Sequence, residues 1–396
     1  MTADGVLIPD VAWCWWTRPR ASRVGNAVYF GALDSKGGIV AARLDLETRA
    51  VDRSRLAAFE DDDHNNPALL AVAGRPLICF YSRHDAAEGM RYRVSRAPLD
   101  VNDWGAEQAL TFGGSTTYAE VHVVEDRIHV FTRVDETRWT WRASEDWAKT
   151  WGPARDLLAF TTDQQVYMAT ALAPDGRTLR VAVSGHPKDY EKMPLHDVWA
   201  CRVDLVSGAV MLASSDTVIG NLLTGEGLPL DYGALERVNQ VPRDRTTNLF
   251  DVGSGDVFEV AYVTKIRDDL STRDARYHVA ALRNGRWIVE DLVAAGAKFG
   301  YIDAGFYVGG MAFAPRGGGI YLTREQDGLW HFELWQHGTG GWTATTLRPP
   351  GPTRLARPWA IDDPVPDLAA VALAIERYDA DSYFGSRSNL IGVARP

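Results

Sequence analysis

Cysteine is scarce in this chain: Cys14, Cys79 and Cys201 are the only three in 396 residues. They are far apart, odd in number and include no CxxC pair, so no disulfide framework can be read, and buried reduced thiols are expected. Long apolar runs are also missing, and no stretch reaches the roughly 18 residues of a membrane span. The opening MTADGVLIPDVAWCWW has neither a basic n-region nor a smooth apolar stretch, so no signal peptide is read in it. A cytoplasmic location is therefore expected for the chain as given, with a periplasmic or secreted one as the alternative if a leader was trimmed. Basic charge is in deficit: 42 Lys+Arg stand against 52 Asp+Glu, a formal net charge of -10. That balance argues against a general nucleic-acid binder, which carries an extended basic face. A polyanionic ligand would need a local basic pocket on an acidic body. Helical signals are absent as well, since no long stretch combines period-3.6 apolar spacing with caps.

What is present is strand signal. Hydrophobic residues make up 46% and charged residues 24%, the balance of a folded globular chain. Short alternating runs separated by Gly-, Pro- or Asp-containing turns recur in seven segments: 27–51, 67–104, 118–151, 167–208, 255–292, 309–347 and 366–394. Each opens with two short strands around a tight turn, and two amphipathic strands usually follow. Four antiparallel strands repeated every roughly 40 to 60 residues describe propeller blades. The expected fold is all-β, a single seven-bladed β-propeller with four-stranded antiparallel blades spanning 1–396, an N-terminal strand completing the last blade. Two stacked β-sandwiches are the alternative and account less well for the spacing. The 14 tryptophans suit such a core or surfaces for stacking on sugar rings. Residues 144–151, SEDWAKTW, fit the Asp-box pattern Ser-x-Asp-x-x-x-Thr-Trp with Ala148 where Gly is usual. This turn has a structural job, with the Asp capping turn amides.

Hairpin geometry then brings polar residues together. Residues equidistant from a hairpin turn face each other. His64 and His84 are equidistant from Gly74, and Tyr118 and Arg133 from the Glu125–Asp126 turn. Tyr167 and His186 fall near the open end of the hairpin around Pro174–Gly176. All six are expected on one rim of the channel, offering an imidazole base, a phenolic acid and a fixed cation. The other histidines, His122, His129, His278, His331 and His337, read as surface or hydrogen-bonded structural residues. A zinc site from His186, His196 and Cys201 is a weaker use of the same residue types, because their spacing matches no closed structural pattern. The run Glu60-Asp61-Asp62-Asp63 reads as a solvated loop, with calcium binding as the minor alternative.

DDDHNNPALL at 61–70 followed by LICFYSRH at 77–84 resembles the BNR-4-repeat propellers, a group that includes ulvan lyases and rhamnosyl-glucuronate lyases, with related α-L-rhamnosidases. WCWWTRPRA at 13–21, RYRVS at 91–95, SGHPKDY at 184–190, LHDVWACRVD at 195–204 and LARPW at 355–359 add individually weaker matches. The resemblance implies β-elimination at a uronic acid. It assigns His64, Tyr118, Arg133 and His84 as catalytic: Arg133 on the uronate carboxylate, His64 taking the C5 proton as neutral imidazole, Tyr118 protonating the leaving oxygen, and His84 holding the carboxylate or the enolate. The base could equally be Tyr118. Tyr167 and His186, with Arg20, Tyr307 and Arg357, are the implied substrate-binding residues. Two departures stand out. Ala119-Glu120-Val121 follows Tyr118 where a Pro-Asn-Pro-like segment is common, and Gln165 and Met168 flank Tyr167 where a basic residue is common.

The expected activity is therefore a polysaccharide lyase on a rhamnosyl-uronate linkage, with an acidic polysaccharide or oligosaccharide as partner, no nucleic acid, no membrane and a monomeric state. No cofactor is required for that chemistry; a structural Ca or Zn ion is left open. An exo-α-L-rhamnosidase on the same linkage would release free rhamnose without an ultraviolet change. A non-catalytic glycan-binding propeller would bind without turnover. No pair of Asp/Glu motifs of the ordinary glycosidase kind is evident in the sequence. Residues 215–254 form the longest connection between repeats and are expected to cover part of the site.

Overall fold

The computed structural model describes residues 5–14, 16–85, 87–160, 164–187, 197–242, 244–266, 275–296, 308–377 and 386–395, without the side chains of residues 164, 186 and 187. Among these, the strands form seven antiparallel sheets, the blades of a β-propeller. The first strands of blades one to six are Ala21–Val24, Ala68–Leu70, Thr116–Val124, Gln164–Leu172, Arg245–Val252 and Gly310–Phe313. Blade seven is built from Arg354–Val365, Leu368–Arg377 and Arg387–Val393, and Val6–Ile8 from the N-terminus pairs with Arg387–Val393 as its fourth strand. Helix is limited among the described residues to short 3-10 turns such as Asp63–Asn65, and no helix there is long and apolar enough to cross a membrane.

Local sequence accounts for the turns. Asn284–Gly285 joins two strands of blade five with both residues at positive φ, 49° and 72°, the two-residue hairpin that Asn-Gly favours because its twist matches the strands. The Asp box behaves as expected: Asp146 accepts from the amides of Lys149 and Thr150 at 3.1 and 2.8 Å. Ala148 sits at φ 64°, the left-handed conformation for which the usual Gly carries no side-chain penalty.

The strand assignment needs three corrections. Blades one, five and seven each begin one strand earlier than the repeats read from sequence, at Ala21–Val24, Arg245–Val252 and Arg354–Val365. In the second of these Thr246, Thr247, Asn248 and Asp251 are buried, so polar residues lie inside and the alternation that marks a half-exposed strand is lost. The segment 215–254 is not one open connection but contributes strands of its own. Val218–Asn221 and Glu236–Asn239 extend blade four at the far side of the sheet from Gln164–Leu172, and the segment ends in the first strand of blade five.

By packing, the chain divides into two compact units, residues 1–121 with 321–396, and residues 122–320. In the first, Trp13, Val28, Phe30, Val40, Ile361 and Val371 form one apolar cluster, and Tyr29, Ile39, Leu69, Leu77 and Tyr81 another. In the second, Ala182, Ala200, Leu249, Val260 and Tyr262 pack together. Cys14, Cys79 and Cys201 are free and buried, as expected. Cys201 is fully buried, and that burial pushes its thiol up to about 12, which disfavours the thiolate a zinc ligand needs. His196, its proposed partner, lies outside the described residues.

Candidate active site

The first unit gathers a cluster around DDDHNNP. The pairs Ala68↔Phe80, Leu69↔Cys79 and Leu70↔Ile78 are all centred on Gly74, and His64 and His84 share that centre. Their rings stack face to face, centroids 3.9 Å apart with an interplanar angle of 0°. The Tyr118 ring lies 5.6 Å from that of His64, and the Trp16 ring 5.5 Å from that of Tyr118. Three of the expected site residues therefore meet in one row, His84, His64, Tyr118.

Each residue of the motif has a task in holding that row. Asp62 caps the 3-10 turn by accepting from the His64 amide at 2.8 Å, and the same oxygen takes His64 Nδ1 at 2.5 Å. Its second oxygen takes His84 Nδ1 at 2.8 Å. Asp63 pairs with Arg357 at 2.9 Å and lies 3.3 Å from His64 Nδ1. Asn65 accepts the His84 amide at 3.0 Å, and Asn66 accepts the Cys14 amide at 3.1 Å. The acidic run is thus solvated at Glu60 and Asp61 but not at its other end. Asp62 and Asp63 are half-buried and turned onto imidazole and guanidinium.

The N-terminal segment supplies the Tyr118 side. Residues 12–14 and 16–20 run past the first hairpins: Ala12 bridges Leu33, Pro19 O accepts from Leu69, and Arg18 bonds the backbone on either side of Glu120. Asp85 donates its amide to Thr117 Oγ1 at 2.8 Å and accepts that hydroxyl at 2.9 Å. Tyr118 follows at φ 67°, and Asp85 and Arg357 stand at 49° and 53°. Left-handed backbone at non-glycine residues costs roughly 1–3 kcal/mol each and concentrates at functional sites. Glu120 is fully buried and pairs with Arg18 at 3.8 Å, so its charge is answered locally.

Electrostatics sort the protonation states. Burial disfavours the charge on Asp62, but hydrogen bonds from His64 and His84 outweigh it and hold the carboxyl far below the usual range. Burial likewise disfavours a charged His64; the bonds to Asp62 and Asp63 win and raise its pKa to about 9. His64 is therefore an imidazolium at neutral pH, which does not suit it to the role of neutral base.

The second unit holds Arg133 and Tyr167. Arg133 is fully buried with its guanidinium 5.2 Å from the Tyr167 ring centroid. Tyr167 is buried too, and its hydroxyl donates to Gln165 at 2.9 Å. His186 pairs in register with Gln165, while Ser184 stands opposite Tyr167; the His186 side chain lies outside the described residues, as does Tyr307. Arg20 is buried with its guanidinium over Trp359 at 5.5 Å. Trp16, Asn65 and Asp85 were not singled out as site residues from sequence, and Asp62 and Asp63 only within a solvated loop or a minor calcium site. The signal for the two aspartates was their place one and two positions before His64.

Among the described residues, Asp62, His64 and His84 could bring an oxygen and two nitrogens within 4.8 Å of one another, as could Cys14, Asp63 and His64 with their own atoms.

This is a β-propeller with a histidine–tyrosine cluster. Residues 12–198 match the family described as BNR repeat-containing family member. Its fold is that of an ulvan lyase of polysaccharide lyase family PL25 bound to -[GlcA(1-4)Rha3S]-, at 15% identity and TM-score 0.76, covering 98% of this chain and 95% of that one. The polysaccharide lyase Uly1 is similar at 13% identity and TM-score 0.62, covering 97% and 91%. A puromycin hydrolase shares 13% identity at TM-score 0.52, over 98% of this chain and 54% of that one. No curated protein sequence matches the chain.

Proposed function

We propose that the protein is a polysaccharide lyase that cleaves a rhamnosyl-uronate linkage in an acidic glycan by β-elimination. The observation that carries this reading is the row His84–His64–Tyr118, with a cationic imidazole beside a phenol. Elimination needs a positive group to neutralise the uronate carboxylate and so acidify the C5 proton, a base for that proton, and an acid for the leaving glycosidic oxygen. His64, a fifth exposed and held as imidazolium, suits the first task. Tyr118 suits the other two: its phenolate takes the C5 proton, the C4–O bond breaks as the C4=C5 double bond forms, and the phenol returns the proton to the leaving oxygen. His84, also partly exposed, is the second donor toward the carboxylate or enolate.

Arg133 and Tyr118 are both fully buried, Arg133 being stacked on Tyr167 as well, so each would reach the glycan only when the cover over it opens. A hydrolase with paired carboxyl groups finds less support in this cluster. Asp62 is committed to two imidazoles and Asp63 to Arg357, so neither is the protonated acid such a mechanism uses. The rhamnose–uronate repeat bound by the similar ulvan lyase supports the choice of substrate.

The test is an acidic-glycan panel including ulvan. An ultraviolet rise from unsaturated uronate is expected with the wild type and its loss with Tyr118→Phe. Release of free rhamnose with no ultraviolet change would overturn the reading in favour of hydrolysis, and binding without turnover would overturn it in favour of a glycan-binding propeller.

A further inference from the structure

We propose that Asp62 is a positioning residue, a single carboxylate that locks His64 and His84 into one stacked unit through the Nδ1 atoms of both rings. The kinetic part of this rests on the lyase reading; the structural part does not. Both oxygens of Asp62 are used: one takes the amide and Nδ1 of His64, the other takes Nδ1 of His84. An ionised carboxylate only accepts hydrogen bonds, so both Nδ1 atoms must be the protonated, donating nitrogens. That fixes the tautomer of each neutral ring and leaves Nε2 as the atom that can meet a substrate. It also explains a geometry that two rings would not choose unaided. Face-to-face imidazoles 3.9 Å apart, one of them cationic, need an anion that both share. The chain builds that anion in: Asp62 lies on the turn that carries His64, while Asn65 of the same turn grips the His84 backbone at 3.0 Å. The neighbouring charged and titratable groups are Asp63, paired with Arg357, Asp85, 3.5 Å from His84 Nε2, and Tyr118.

Asp62→Asn discriminates. A carboxamide offers one acceptor and one donor group, so it cannot accept from both Nδ1 atoms. Imidazole 15N shifts in histidine-labelled protein are expected to show Nδ1–H on both His64 and His84 in the wild type, and an Nε2–H tautomer on one of them in Asp62→Asn. On a turned-over glycan, kcat should fall about 100-fold, the scale of a reacting group displaced by about 1 Å, with KM within about threefold and a changed pH profile. Asp63→Asn, which leaves both imidazole bonds in place, should keep both wild-type tautomers. A bare Nδ1 on either ring in the wild type overturns the proposal, whether or not Asp62→Asn folds. So does an Asp62→Asn enzyme with wild-type kcat and pH profile. Should the wild type eliminate no glycan, the lyase reading falls and the 15N spectra alone decide the role of Asp62.

Discussion

Replacing His64 by Gln should remove a pH-dependent part of the stability, and its size follows from the cluster. Two carboxylates at 2.5 and 3.3 Å from Nδ1 raise the imidazolium pKa from 6.5 to about 9. A raised pKa in the folded state means that the native protein binds the proton more tightly than the unfolded chain. The stabilisation is therefore fully present below about pH 6.5 and is lost as pH rises through about 9. A pKa moved from 6.5 to about 9 corresponds to about 3 kcal/mol. The neutral ring still donates Nδ1–H to Asp62 at high pH, so it is the charge contribution that disappears, not the hydrogen bond. Urea unfolding of wild type and His64→Gln at intervals between about pH 6 and about pH 10 isolates it, because the other titrating groups largely cancel in the difference. The wild-type advantage should shrink by about 3 kcal/mol across that window. A difference constant to within about 0.5 kcal/mol, about a sixth of that expectation, would refute the assignment of a charged His64 and with it the proposed carboxylate-neutralising role.

Other consequences can be checked by ordinary means. Glu120→Ala leaves the buried Arg18 without its carboxylate and should cost about 3 kcal/mol, read as a fall in thermal midpoint; an unchanged midpoint would mean the pair is dispensable. Arg180, nearly buried, donates to the carbonyls of Gly253, Gly255, Asp256 and Val257 at 2.6 to 3.1 Å. Arg180→Met should destabilise by about 3 kcal/mol or more, since several buried carbonyls lose a charged donor at once; a loss below about 1 kcal/mol would show that they find other partners. Cys14, Cys79 and Cys201 should not react with a thiol reagent at mildly alkaline pH until denaturant is added, because all three are buried and the Cys79 and Cys201 thiols are pushed up. Rapid labelling of the native protein would contradict that burial.

The propeller was legible because its code is local. Alternation and turn residues mark strands wherever one face is wet, and the Asn284–Gly285 and Asp146 turns are written in a few adjacent residues. Where a strand is buried on both faces, as at Arg245–Val252, the code fails, because polar residues such as Asn248 and Asp251 lie inside, Asp251 accepting from the Phe313 amide at 2.8 Å. The His64–His84 pairing was legible for a related reason: a regular hairpin carries its register outward from Gly74, and position alone foretold that the two would face each other.

What sequence could not supply was the company each group keeps. The net charge of -10 and the acidic run 60–63 suggested a solvated loop. Tertiary structure turns Asp62 onto two imidazoles and Asp63 onto Arg357, nearly three hundred residues away, and those contacts make His64 a cation. Chain order by itself determined most of the strands, the turns and the meeting of His64 with His84, since these depend on neighbours and on a two-residue period. Only the tertiary structure decided the protonation of His64, the burial of Arg133 and the answering of Glu120 by Arg18, because charge states depend on distance and desolvation, which the order of residues does not contain.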